Sequence, residues 1–180
     1  MRAVSALALG SLVAACPAPQ SPAPVTPCRR AIAGFASADP QRLVTLPATC
    51  GIADAGAELH SLDAISTGEL GEPIEVARVH HYAAPKLERV RIWERDGRVV
   101  LVEAEFPPAP VADYIRALGE PQVRLPQEEL PDPELVWPAR GIMLVAAGPT
   151  GASRVGLFPA QSLADYQRHV RLTDRTRIEP

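Results

Sequence analysis

At 180 residues the chain is long enough for one domain with a substantial core and too short for two comfortable ones. Its net charge of -3 comes from 18 basic and 21 acidic residues interleaved along the sequence, so no basic stripe marks a nucleic-acid surface and no nucleic-acid partner is expected. Aromatic residues make up only 4%, which leaves the core to Val, Leu, Ile and Ala.

Residues 1–15, MRAVSALALGSLVAA, carry one positive charge at Arg2 and then an apolar run with no acidic residue. That is the pattern of a secretory signal, and it is shorter than the roughly 20 residues of a spanning helix. It runs directly into Val13-Ala14-Ala15-Cys16. This tetrad resembles the lipobox of bacterial lipoproteins: an aliphatic residue, two small residues, then the cysteine that becomes the new N-terminus. The resemblance implies that Cys16 is the lipidation site, carrying a thioether-linked diacylglycerol and an N-acyl chain. It also implies an exported protein of the cell envelope, in the outer membrane and facing the periplasm or the surface. Several acyl chains together anchor stably in the lipid bilayer, where one alone is marginal.

Residues 16–27 read as a tether. PAPQSPAPVTP, residues 17–27, holds five prolines and favours extended polyproline II, which cannot build core. A single domain is expected over 28–180. With Cys16 acylated, Cys28 and Cys50 remain, and in an exported chain an even pair fits one disulfide. Closing that loop contributes roughly 3 kcal/mol on the chain-entropy account. No CxxC pattern or neighbouring His makes these cysteines a metal set, and neither metal nor cofactor is expected.

Cys28, Ile32 and Phe35 share one helical face, and Asp39-Pro40 opens a second short helix that ends before Pro47, so residues 28–49 form a helical pair. Ile52, Ala55, Leu59 and Leu62 keep a three-to-four residue spacing, which predicts a helix over 51–62. Its Asp54 and Glu58, one turn apart, read as a solvated face rather than an acid/base pair. Residues 63–73, with Gly68, Gly71 and Pro73, read as loop. A strand is predicted from Glu75 to Tyr82. It contains His80-His81, which should point to opposite faces and so cannot readily share one ion; His60 and His169 stand in no motif.

Residues 88–93 and 98–106 flank the segment 94–97, which holds Asp96-Gly97, and predict a β-hairpin whose second strand, Val99-Val100-Leu101-Val102, is central and is stopped by Pro107-Pro108. Val111, Tyr114, Ile115 and Leu118 predict an amphipathic helix, with Asp113 and Arg116 as an i, i+3 pair and Gly119 as its C-terminal cap. Residues 122–133 read as a polar connector. Strands follow at 135–137 and 142–146 around Pro138–Gly141, then a turn at 148–151 and a returning strand at 154–158. Ser162 caps a last helix with Leu163, Tyr166 and Val170 inward and Asp165 at the capping-box position. The charged residues 171–180 are expected to fray.

An internal repeat crosses these elements. FPPAPVADYIRAL, 106–118, recurs as FPAQSLADYQRHV, 158–170, at an offset of 52 residues, and Leu118-Gly119-Glu120-Pro121 occurs earlier as Leu70-Gly71-Glu72-Pro73. The order predicts an α+β fold: an N-terminal helical pair, then two helix-plus-antiparallel-strand half-units (50–107 and 108–159) and a closing helix at 162–170. The strands form a meandering sheet with helices on one face. The helix, Leu-Gly-x-Pro stop and antiparallel strands loosely resemble small BamE-like outer-membrane lipoproteins, and tandem copies resemble the β-lactamase-inhibitor-protein type of fold. Both families bind proteins rather than catalyse.

The sequence contains no Gly-x-Ser-x-Gly, His-Glu-x-x-His, Ser-x-x-Lys or phosphate-loop motif, and no catalytic residue is assigned. Acids such as Glu103 and Glu105 could act only if the fold converged them. The expected function is a non-catalytic envelope lipoprotein that binds an unidentified envelope protein or contributes to envelope assembly. An inhibitor or immunity-type binder of an extracytoplasmic hydrolase stays open beside it, as does, more remotely, a hydrolase.

Overall fold

A computed structural model describes residues 25–105, 109–126, 133–147 and 151–172. The signal and Cys16, most of the tether, the Phe106–Pro108 sheet stop, residues 127–132 and the 148–150 turn lie outside the described residues.

The chain begins with α1, Pro27–Ala36, capped by the Thr26 hydroxyl, which accepts from the Arg29 N–H at 3.3 Å, with proline in the first turn. Its buried face carries Cys28, Ile32 and Phe35 at the spacing read from the sequence. Cys28 is disulfide-bonded to Cys50, with 5.2 Å between their Cα atoms. Asp39 caps a 3-10 turn at Pro40–Arg42, its carboxylate accepting from Gln41, so the second helix of the pair is a single tight turn.

The helix expected over 51–62 is much shorter. α2 is Ile52–Ala55, a 3-10 turn follows at Gly56–Glu58, and strand β1, His60–Leu70, occupies what reads as the helix end and the following loop. The 3.6-residue apolar spacing misleads because it is assembled from two elements. Ala55 and Leu59 are buried beneath α1, whereas Leu62 is 45% exposed on an edge strand. An edge strand has one paired neighbour and needs little apolar alternation.

Strands β2 (Glu75–Ala84), β3 (Leu87–Arg95) and β4 (Arg98–Glu105) continue the meander, the last two around Asp96-Gly97 with positive φ at both residues, as a tight hairpin turn requires. Helix α3, Val111–Leu118, follows as expected, with the Asp113–Arg116 pair at 2.8 Å and Gly119 (φ 81°) ending it. The connector at 122–133 contains a further strand, β5 (Val123–Leu125), missed because three residues flanked by Pro, Gln and Glu leave no countable period. Then come β6 (Glu134–Trp137), β7 (Ile142–Ala147), β8 (Gly151–Leu157) and helix α4 (Leu163–His169). The Ser162 hydroxyl caps α4, accepting from Asp165 N–H at 3.1 Å and donating to its carboxylate at 2.7 Å.

The fold is α+β. Among the described residues eight strands form one antiparallel sheet in the order β1-β2-β3-β4-β8-β7-β6-β5, two four-stranded meanders joined where the last strand of each pairs with the other. Alternate residues on each strand face opposite sides. One side packs Val90, Ile92, Val102, Leu144 and Trp137 with α1, α2 and α3 through Ile32, Phe35, Ala55 and Tyr114. The other packs Val79, Trp93, Leu101, Val136 and Met143 with α4 through Tyr166 and with Phe158. Helices α1 to α3 therefore share one face as expected, while α4 packs on the opposite face. The two copies of Ala-Asp-Tyr thus place Tyr114 and Tyr166 against opposite sides of the sheet.

The Leu-Gly-Glu-Pro copies also differ in role. Gly119 ends α3 within its own segment. Gly71 and Glu72, after β1, instead donate to the carbonyls of Arg171 (2.8 Å) and Arg168 (3.2 Å) and receive the C-terminus of α4. Arg171 and Leu172 are accordingly held rather than frayed: Arg171 reaches Glu134 and the Pro126 carbonyl, and Leu172 bridges Leu70.

Candidate functional site

The second face of the sheet carries a band of polar side chains beside its apolar cluster. Strand alternation puts Arg91 and Trp93 of β3, Glu103 and Glu105 of β4, and Arg154 of β8 on this side, and the register sets Arg91 opposite Glu103 and Arg154 opposite Glu105. Glu103 is fully buried. Its Oε1 accepts from Arg91 Nη2 at 3.3 Å and stands 2.8 Å from Arg154 Nε as an ion pair, and its Oε2 accepts from Trp93 Nε1 at 3.3 Å and stands 3.2 Å from Arg91 Nε. Arg91 also reaches Glu105 at 2.5 Å, and the exposed Arg89 lies 3.7 Å from that carboxylate.

Farther along the same face, buried Glu134 of β6 accepts from the Tyr166 hydroxyl of α4 and from Arg171 Nε at 3.3 Å. Burial pushes the Glu134 carboxyl upward, against the opposing pull of Tyr166, Arg171 and Arg154. Burial, and then the charge of Glu134, raise the Tyr166 phenol well above its ordinary value. A buried carboxylate with guanidinium partners is worth little as net stabilisation but leaves an uncompensated charge if one partner is removed. Each Glu103 oxygen accepts one hydrogen bond, from Arg91 and from Trp93, and with Arg154 beside it the carboxylate is enclosed by its own partners rather than open to a cleft. Of the two acids named from the sequence, Glu103 and Glu105 do share a face, and arginines occupy both.

The histidine pair lies at the far end of the sheet. His80 points to the first face, its Nε2 2.5 Å from Glu94, and His81 to the second, its Nε2 2.9 Å from the Ser66 hydroxyl. They are on opposite sides, as the strand period requires. Burial first, then the charges of Arg91, Arg89 and His80, lower the His81 pKa, so its ring is neutral and able to accept from Ser66. An irregularity in β1 between Ser61 and Ile65 opens a cavity of about 250 Å³ lined by Ser61–Ile65 and His80–Tyr82. A serine nucleophile would need an orienting partner on the other imidazole nitrogen. Among the described residues none bonds there. Among the described residues, too, no group of three His, Cys, Asp or Glu side chains could hold a metal ion, and His60 and His169 do not join the pair: His169 sits 3.6 Å from Glu75. Asp54 and Glu58 take no part in the band.

Of the positions named from sequence, Cys28 and Cys50 are brought together, and Cys16 lies outside the described residues. The polar band was not named as a unit. Its signal was present in the alternation of Arg89 and Arg91 before the Asp-Gly turn with Glu103 and Glu105 after it. Among the described residues no helix is long and apolar enough to cross a membrane. Compared with family models, curated proteins and solved structures, the chain finds no match.

Proposed function

We propose that the protein is a lipid-anchored bacterial envelope lipoprotein whose α+β domain binds another envelope protein without catalysing a reaction. The observation that carries this reading is the sequence Val13-Ala14-Ala15-Cys16 at the end of a short apolar signal, followed at once by a proline-rich stretch. Two structural features support it. The domain opens at Thr26 and Pro27, where the proline-rich stretch gives way to a capped helix, so the stretch has the length and place of a tether. The Cys28–Cys50 bond suits an oxidising compartment outside the cytoplasm.

The test is fractionation of cells making the wild-type chain or Cys16→Ser, with intact mass of the purified protein and cross-linking in the envelope. Wild type should sediment with membranes, carry the mass of the lipid at Cys16 and cross-link to a defined protein; Cys16→Ser should be released from membranes. A wild-type protein that lacks the lipid mass, or a variant that stays with the membrane, sinks the anchoring. A purified chain that turns over an envelope substrate sinks the non-catalytic half.

A further inference from the structure

Among the described residues the sheet has one long open edge. β1 ends the strand order, and no described residue pairs with its outer side between His60 and Glu69. The opposite edge, β5, is only three residues long. Open edges are usually guarded by proline, lysine or a bulge. The eleven residues of β1 contain neither proline nor lysine, and the irregularity between Ser61 and Ile65 leaves Ile65–Leu70 regularly paired with β2. The edge already takes a neighbour at its end, where the Gly71 N–H donates to the Arg171 carbonyl at 2.8 Å and Leu172 bridges Leu70 in the antiparallel sense. Because Gly71 donates outward, strand alternation turns the N–H and C=O groups of Glu69, Thr67 and Ile65 outward too. The side chains of these three residues lie on the first face beside their β2 partners Val76, Arg78 and His80, and Ile65 and Val76 are 66% and 68% exposed there.

We propose that the outer edge of β1, from Ile65 to Glu69, is where the domain takes its partner: an extended basic and apolar segment of another protein, added as an antiparallel strand. This rests on the protein-binding function proposed above and names the chemistry of the partner. In such an addition main-chain hydrogen bonds supply affinity and alternate side chains supply selectivity. An antiparallel neighbour sets alternate side chains opposite Glu69, Thr67 and Ile65, in that order along its own chain, all on the first face. Charge selects the first of them. β1 holds two acids, Asp63 and Glu69, and no lysine or arginine, so Lys or Arg fits opposite Glu69. An apolar side chain fits the last position, over the exposed Ile65. A second copy of the chain fits poorly. Leu172 already occupies the edge at Leu70, and the two-fold registers left for β1 against itself set Asp63 of each strand opposite or diagonal to Glu69 of the other, like charges that oppose pairing.

The probe is a synthetic peptide of about eight residues built on Lys-Thr-Val-Thr-Ile, with a twin in which Glu replaces Lys. Hydrogen exchange resolved to single amides is followed on the full chain with and without peptide, and affinity is read from fluorescence anisotropy. At saturation the lysine peptide should slow the Ile65, Thr67 and Glu69 amides about tenfold or more, and change those of Ser66 and Gly68 little, since they already bond β2. It should bind about tenfold tighter than its twin, and Glu69→Lys should reverse that preference. Thr67→Pro removes an outward N–H that an edge strand does not spend on its neighbour, and should abolish binding of both peptides. Exchange that the lysine peptide does not slow overturns the proposal, as does equal affinity for the two peptides. So does slowing without peptide that grows with protein concentration, since a second copy would then fill the edge. Cross-linking in the envelope separates this inference from the broader one. If Thr67→Pro still captures the partner of the wild-type chain, the edge is wrong and protein binding stands; if the peptide binds at β1 while the wild-type chain captures nothing, the edge stands and the envelope-partner reading falls.

Discussion

Replacing Glu103 tests whether the buried polar band is a structural keystone. In Glu103→Ala the Arg91 guanidinium keeps Glu105 at 2.5 Å, but Arg154 loses its 2.8 Å partner and Trp93 Nε1 loses its acceptor. Removing one member of a buried ion pair typically costs about 3–5 kcal/mol, because the remaining charge is left uncompensated. Arg154 is a quarter exposed and can turn partly to water, so the low end, about 3 kcal/mol, is expected. Glu103→Gln should do little better, because both carboxylate oxygens accept from N–H groups and an amide nitrogen must face donors whichever way it is placed. Urea unfolding of each variant reads the loss: with a slope of about 1–3 kcal/mol per molar, 3 kcal/mol lowers the midpoint by about 1 M or more. Arg124→Ala, which breaks an exposed pair with Glu120, serves as the control and should change stability by at most about 1 kcal/mol. If Glu103→Ala falls in the control's range, the band is no more than a surface ion-pair network, and the reasoning from burial fails.

Two further outcomes follow from local geometry. Gly71 and Gly119 occupy the same place in the two Leu-Gly-Glu-Pro copies and both have positive φ, 77° and 81°. A Cβ at Gly71 would stand 1.9 Å from the Arg168 carbonyl oxygen, whereas at Gly119 it would meet nothing within 4 Å. Gly119→Ala, at φ 81° and ψ −178°, should therefore cost about 1–3 kcal/mol from backbone strain alone, and Gly71→Ala distinctly more, in the same urea assay; equal losses would show that the docking of α4 onto Gly71 is not as tight as described. The second concerns His81, whose pKa is lowered from 6.5 mainly by burial. The folded state then binds fewer protons than the unfolded one, so this contribution to stability is complete above the unfolded pKa and is lost as pH falls from there through the folded value. His81→Gln, which can still bond Ser66, should flatten that acid-side decline as the pH falls below about 6.5. Stability curves that stay parallel to wild type across the range would remove His81 from the account.

How much of this could be read from the chain depended on how each element is buried. The β3–β4 hairpin and α3 were legible because one face of each is covered, so the period-two and 3.6-residue patterns appear undiluted around Asp96-Gly97 and over Val111–Leu118. β1 was not, because an edge strand with Leu62 and Ile65 turned to solvent carries little pattern, and its first apolar residues happen to continue the spacing of α2. The polar band was half legible. Counting outward from the Asp-Gly turn sets Arg91 beside Val102, one residue off; the shift in register between Trp93 and Glu94 is what brings Glu103 into line. Arg154, Glu134 and Tyr166 reach the band only through the β4–β8 pairing and the crossing of α4 to the second face, contacts between residues far apart in sequence that no local period encodes.

The Cys28–Cys50 bond has a mechanical meaning. Any pull on the chain ahead of Thr26 arrives at the first turn of α1, and within two residues it passes through a covalent link to Cys50 rather than through the packing of the helix. From there the Cys50 carbonyl, which accepts from Val99 N–H at 2.8 Å, and the Gly51–Arg98 bridge hand the load to the turn end of the β3–β4 hairpin, near the middle of the sheet. Tension would thus enter the domain at its stiffest part, leaving α1 unstretched beyond its first turn and both sheet edges off the line of force.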